Sequence, residues 1–316
     1  MKLKPVFGLV CCFLLAKSSF SQIEVESSLE TGNTPAYYIE EILLGEGIQA
    51  FNIQFHGDSL QLGEFGNGEN SNLNLNEGLM LATGDVGVAD TFPNETNISA
   101  FTNPLTNPLL PNYDSALTAL SSPLNTFHTA VLEFDFIPTG DTVRFNYVFA
   151  SEEYNIFVCT QFNDVFGFFL SGPGIPGIVN LAKVPGTNEI VAVNNINDGK
   201  AGFGIAPSPC TYNTNSCACN PQYYVNNNYP NVGDSVQYNG FTVPLEAKHE
   251  VICGDTYHIR MAIADVADGA YDSGVFLEGG SFSSTLIEVN IATVNGDSSI
   301  NEGCGEAEIL FSRGDA

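Results

Sequence analysis

Apolar and polar residues alternate with a period of two over long stretches of the chain. Leu132, Phe134 and Phe136 alternate with Glu133 and Asp135. Pro138-Thr139-Gly140-Asp141 reads as a turn, after which Val143, Phe145, Tyr147 and Phe149 alternate with Arg144, Asn146 and Val148. Period two puts alternate side chains on one face of a strand, so residues 129–149 predict a β-hairpin with one apolar face. Residues 165–170 are a short apolar run that suits a buried strand, and residues 189–196, 257–264, 274–282 and 285–294 continue the β pattern. In residues 257–264, Tyr257, Ile259, Met261 and Ile263 fall on one face.

Helix signals are few. Thr34-Pro35 supplies a cap and a first-position proline, Gly45 a stop, and Tyr38, Ile39, Ile42 and Leu43 the buried stripe between them. Residues 114–120 predict a second short helix. Residues 92–111 and 201–232, rich in Asn, Thr and Pro, read as long loops. Many short strands joined by Gly, Pro and Asn turns predict an all-β fold, a β-sandwich or jelly roll.

Composition adds location. Lys2 and Lys4 precede an apolar run over residues 5–16, too short to span a bilayer, and Ser19-Phe20-Ser21 offers small residues for cleavage. Residues 1–21 are therefore expected to be a signal peptide. The 316-residue chain is 44% hydrophobic and 14% charged, with a net charge of −27. Losing Lys2, Lys4 and Lys17 with the signal would leave six cations against 36 acids, a net −30. Such a surface repels polyphosphate, which excludes a nucleic-acid partner.

Of eight cysteines, Cys11 and Cys12 lie in the leader. Cys159, Cys210, Cys217, Cys219, Cys253 and Cys304 remain, and export favours disulfides among them. The first five are the disulfide candidates. The 210/217/219 spacing does not match a structural zinc site. Their pairing stays open.

No catalytic motif is present. His249 and His258 are nine residues apart, whereas a zincin helix needs four, and there is no nucleophile elbow, P-loop or dinucleotide fingerprint. A non-enzymatic role is expected. The one chemical hypothesis is Ca²⁺ binding. Glu152-Glu153 and Asp164 flank one loop, while Asp265, Asp268 and Asp272 occupy another. Ca²⁺ takes six to eight oxygens from such loops. The competing reading is solvated acids that cap turns.

Four segments carry a resemblance. They are FASEEYNIFVCTQFNDVFGFFLSGPG over 149–174, YHIRMAIADVADGAYDSGVFLEGGSF over 257–282, GLMLATGD over 78–85 and LEFDFIPTGDTVRFNYV over 132–148. Together with Val184-Pro185-Gly186-Thr187 and Asn194-Asn195, they resemble the choice-of-anchor L domain. The resemblance implies a domain over 22–288 in an exported surface protein, mostly of Bacteroidota, with an anchor or type IX sorting signal expected beyond the C-terminus. Residues 289–316, with Asn301-Glu302-Gly303-Cys304 leading into an alternating strand, resemble the opening of a Calx-β-like module that is cut short. Arg313-Gly314-Asp315 continues that strand and reads as a chance tripeptide. The favoured role is a cell-surface, outer-membrane-associated adhesion or ligand-binding module that takes an extracellular glycan or protein. A structural spacer and a secreted hydrolase are the alternatives.

Overall fold

The computed structural model describes residues 23–90, 111–200, 219–227, 236–284, 287–293 and 307–313. Its strands are β1 (Glu24–Ser27), β2 (Ile48–His56), β3 (Leu62–Gly66), β4 (Gly78–Ala82), β5 (Thr126–Pro138), β6 (Thr142–Ser151), β7 (Val165–Ser171) and β8 (Val179–Asn180). They continue with β9 (Tyr224–Asn226), β10 (Gly240–Thr242), β11 (Leu245–Glu250), β12 (Tyr257–Val266), β13 (Ser273–Glu278), β14 (Ile287–Thr293) and β15 (Ala307–Arg313). One antiparallel sheet runs β1-β3-β4-β13-β6-β10-β9, with β11 also paired to β6. A second runs β2-β5-β12-β7-β8. The fold is an all-β sandwich, as the alternation predicts. β14 and β15 pair with each other, Ile291 opposite Ile309.

The sheets meet through their apolar faces. Phe134, Phe136, Phe166, Phe168, Ile259 and Met261 of the second sheet form one buried cluster with Phe145, Tyr147, Phe149, Val275 and Leu277 of the first. The other face of the first sheet is also covered. Met80, Val148, Ala150 and Phe276 there are buried with Val86, Val236 and Tyr238. Helix Ser115–Ser121 lays Leu117 over Val131, Phe169 and Ala262 on the outside of the second sheet. Strands covered on both sides explain why Val148 and Ala150 break the polar half of the alternation.

The expected hairpin over 129–149 is not formed. β5 pairs with β2 and β12, whereas β6 pairs with β10, β11 and β13. The turn at 139–141 carries the chain across the sandwich, so the apolar faces of β5 and β6 oppose each other. Phe134, Phe136 and Phe145 all pack on the Phe282 ring, with centroids 5.3, 5.2 and 5.3 Å away. Alternation defines a shared face, and opposed strands satisfy it as well as paired ones do.

Residues 189–196 do not form the predicted strand. Ile190 makes one bridge to Lys183, and the Ala192 carbonyl then accepts Asn195 and Ile196 N–H groups, both at 3.0 Å. Asparagine side chains replace the missing ladder. Asn194 accepts the Cys159 N–H at 2.6 Å and donates to the Thr160 carbonyl at 2.8 Å, while Asn195 donates to the Ile190 carbonyl at 2.9 Å.

The helix predicted after Thr34 is present but unusual. Thr34 Oγ1 accepts the Tyr37 N–H at 3.3 Å, Pro35–Tyr37 makes one α-turn, and Tyr38–Leu43 widens to a π-helix. Tyr38, Ile39 and Leu43 are buried as expected, with Ile42 half-buried. A Cβ on Gly45 would collide with the Gly280 carbonyl oxygen, so glycine is required where this segment meets the β13 end. The second helix starts one residue after its cap, Asp114, whose Oδ1 accepts the Ala116 and Leu117 N–H groups at 2.9 Å.

Candidate metal centre and an acidic groove

At one end of the sandwich the chain passes between the sheets after β4, after β6 and after β12. The residues at those crossings converge. Ser151 ends β6 and Glu152 and Glu153 follow it, Asp164 precedes β7, Asp265 is the last residue but one of β12, and Asp272 precedes Ser273, which opens β13. Each of these side chains is buried, none more than 1% exposed. Thr83, just past β4, and His128, near the start of β5, complete the group.

Hydrogen bonds tie the crossings together. Asp164 Oδ2 accepts the Ser273 hydroxyl at 2.6 Å, and its Oδ1 accepts the Val266 N–H at 3.0 Å. Asp272 N–H donates to Glu152 Oε2 at 3.1 Å, and Glu152 N–H donates to the Asp272 carbonyl at 3.0 Å. Glu153 Oε2 receives the Asp164 N–H at 3.4 Å. The Thr83 hydroxyl donates to Asp272 Oδ1 at 3.1 Å and accepts the Ser273 N–H at 3.0 Å. His128 Nδ1 lies 2.8 Å from Asp265 Oδ2. Asp265 Oδ1 has no hydrogen-bond partner among the described residues.

Burial without cations makes this centre electrostatically costly. Desolvation first, then the Asp272 charge, pushes the Asp265 carboxyl well above the usual carboxylate range. Desolvation and the Asp265 charge do the same to Asp164, and desolvation and the Asp164 charge to Glu153. Tyr238 is also pushed up, by burial and then by Asp272 and Glu152. The cationic side chains lie elsewhere among the described residues. Arg260 pairs with Asp114 and Glu133, Lys200 with Asp198, and Lys248 with Glu246. One ligand atom each from His128, Asp265 and Asp272 lies within 4.8 Å of the others, a spacing one ion can bridge.

Five of the six acids singled out from the sequence thus come together: Glu152, Glu153, Asp164, Asp265 and Asp272. Four of them lie in the connections between strands and Asp265 lies in β12, and all five are buried. Asp268 is exposed and its Oδ1 accepts the Ala270 N–H at 3.2 Å, though its charge still acts on Glu153 and Asp265. Sequence reasoning missed His128 and Thr83. Thr83 stands inside the GLMLATGD segment, the one signal that could have found it. His128 has a left-handed backbone, φ 43°, that no residue pattern announces.

The cysteines divide. Cys159 and Cys219 are disulfide-bonded. Cys253, a disulfide candidate from the sequence, is instead a free and exposed thiol, with Sγ 3.1 Å from the Thr139 carbonyl oxygen. It sits in the turn between β11 and β12, where no second cysteine reaches it among the described residues. Cys210, Cys217 and Cys304 lie outside the described residues.

A second feature is a groove of about 910 Å³ between β1, β3, the π-helical turn and the 279–280 turn. Glu24, Glu26, Glu30, Glu41, Glu64 and Glu77 line it, with Tyr37, and among the described residues no lysine or arginine does. Burial, and then the Glu26 charge against the help of a Tyr37 hydrogen bond, raises the Glu64 carboxyl above its usual range. Tyr224, next to Tyr223, is not an open aromatic face. Tyr224 donates its hydroxyl to Asn155 at 2.6 Å and packs on Tyr154, ring centroids 4.9 Å apart. No helix among the described residues is long and apolar enough to cross a membrane.

A family model, the choice-of-anchor L domain, matches residues 25–283. No curated protein and no solved structure matches the chain.

Proposed function

We propose, from the premise that this chain belongs to the choice-of-anchor L domain family, that it is a surface-protein module that binds a cationic extracellular ligand in its glutamate-lined groove. Membership makes the chain a surface-protein module. The binding role is carried by one observation: six glutamates, and among the described residues no lysine or arginine, line a single concavity. Its volume lies within the usual range of small-molecule and side-chain pockets, about 300–1,000 Å³. Like charges held together are relieved by a positive partner, and complementary potentials steer its encounter. The basic patch of a partner protein fits this chemistry better than a neutral glycan. A sugar platform needs open aromatic faces, and of the two aromatics that line this groove, Tyr37 and Phe65, the second is buried. In the same reading, residues 1–21 direct export and are removed, and residues 289–316 begin a Calx-β-like neighbour.

The test titrates a labelled hexalysine peptide into the folded chain and into a Glu26→Gln, Glu41→Gln, Glu64→Gln variant. Three charges are a small part of a net −27, so diffuse attraction barely changes between the two. Saturable one-to-one binding lost in the variant supports the groove. Equal binding by both proteins leaves the module a spacer with a uniformly acidic surface.

A further inference from the structure

We propose that His128, Asp265 and Asp272 form a divalent-cation site of mixed nitrogen and oxygen donors, the kind of site taken by Zn²⁺ or Mn²⁺. The site shares no residue with the groove and does not depend on the groove's ligand.

Two independent observations converge on it. The first is spacing: the three ligand atoms lie within 4.8 Å of one another, so a single ion can reach all three. The second is an orphaned oxygen. Asp265 is 0% exposed, one of its oxygens meets His128, and the other has no donor within hydrogen-bond distance among the described residues, the nearby Thr83 hydroxyl being directed to Asp272. A buried carboxylate oxygen without a donor costs free energy, and proteins retain such groups where a ligand satisfies them. The His128 ring reaches one Asp265 oxygen. It cannot serve the second Asp265 oxygen, nor balance Glu153 and Asp164 behind it.

The surroundings fit an ion that comes and goes. His128 is the outermost donor, its side chain 32% exposed, whereas the Asp265 side chain is 1% exposed. The ring therefore stands between solvent and the carboxylates. A Cβ on Gly269 would collide with the His128 ring, so glycine there leaves the imidazole its place. Thr83 fixes Asp272 by donating to Oδ1, the type of outer contact that orients a ligating carboxylate.

The donor set selects the ion. Ca²⁺ and Mg²⁺ take oxygen ligands, whereas imidazole suits Zn²⁺ and its first-row neighbours and carboxylates suit Mn²⁺. The acids alone lead to Ca²⁺; the imidazole moves the expectation to an ion that accepts nitrogen. Three protein ligands leave further positions for water, as in open zinc sites.

The test uses the folded chain carrying Cys253→Ser, which removes the exposed thiol as a competing ligand. After chelator treatment, ZnCl₂, MnCl₂, CaCl₂ and MgCl₂ are each titrated by calorimetry, and thermal unfolding is followed in parallel. One Zn²⁺ or Mn²⁺ per chain should bind and raise the Tm. His128→Ala should weaken that binding by about tenfold or more. Asp265→Asn should abolish it while raising the Tm of the metal-free protein, because a repelled charge is gone. Asp272→Asn serves if Asp265→Asn fails to fold. Binding that both variants leave unchanged overturns the site. A preference for Ca²⁺ that ignores His128→Ala overturns the nitrogen donor. If no ion saturates, His128 and Asp265 are an ion pair only.

Discussion

Phe149 of β6 and Phe166 of β7 stack across the sandwich, their ring centroids 4.9 Å apart and their planes 15° from parallel. The two strands belong to different sheets and are joined by the segment that carries Glu152, Glu153 and Asp164. The stack therefore holds the sheets together immediately beside the buried carboxylates. Both rings are essentially inaccessible, at 0% and 1% exposure. Phe166→Ala should cost about 3–5 kcal/mol, the range for a phenylalanine cavity in a packed core. Denaturant unfolding measures this, and a loss below about 1 kcal/mol would mean the sheets are not clamped here.

How far the sequence speaks is seen at these same strands. Alternation correctly assigned Phe145, Tyr147 and Phe149 to one buried face, and Tyr257, Ile259, Met261 and Ile263 to another. It could not tell that β5 and β6 face each other instead of pairing, because a face has no information about its partner. The helix cap at Thr34 was legible, since a cap is a local hydrogen bond, whereas Asp114 was read as the first residue of the helix that it caps. Residues 189–196 misled for the opposite reason. Their buried Val191 and Val193 look like strand residues, while asparagine side chains divert the backbone into turns. At the carboxylate centre, the sequence pointed to five acids that do converge. Their burial, and the imidazole of His128, follow from chain crossings that no local pattern records.

Asp114 does two jobs that substitution can separate. Its Oδ1 caps helix Ser115–Ser121, and its Oδ2 pairs with Arg260, whose guanidinium also lies 5.7 Å from the Phe169 ring centre. Asp114→Asn keeps an oxygen for the Ala116 and Leu117 N–H groups but removes the charge, and should cost about 2 kcal/mol. Asp114→Ala loses the cap as well and should cost about 1 kcal/mol more. Urea unfolding of the two variants provides the comparison. Equal losses would show that the cap contributes nothing.

Thiol chemistry should distinguish the cysteines by position. Iodoacetamide without reductant should label Cys253, which is exposed and free. Cys159 and Cys219, both disulfide-bonded, should react only after reduction. Peptide mapping by mass spectrometry reads the result. Labelling of Cys159 in the native, unreduced chain would contradict the bonded state.

Acid sensitivity can be traced to one surface carboxylate. Burial disfavours the charged form of Asp135, but the Asn52 amide at 2.8 Å and the His258 ring at 2.8 Å outweigh it and hold the carboxyl below its ordinary 3.8. A depressed folded value means the unfolded chain binds the proton more tightly. The stabilisation is therefore complete above pH 3.8 and is lost as pH falls through the lower, folded value. The buried Asp164 and Glu153 act in the other direction, because their raised values let the folded chain hold protons as the solution is acidified. Comparing wild type with Asp135→Asn cancels that background, since both proteins share it. The Tm advantage of the wild type should shrink as the pH falls below about 4. An advantage that did not shrink below about pH 4 would show that Asn52 and His258 do not favour the Asp135 carboxylate.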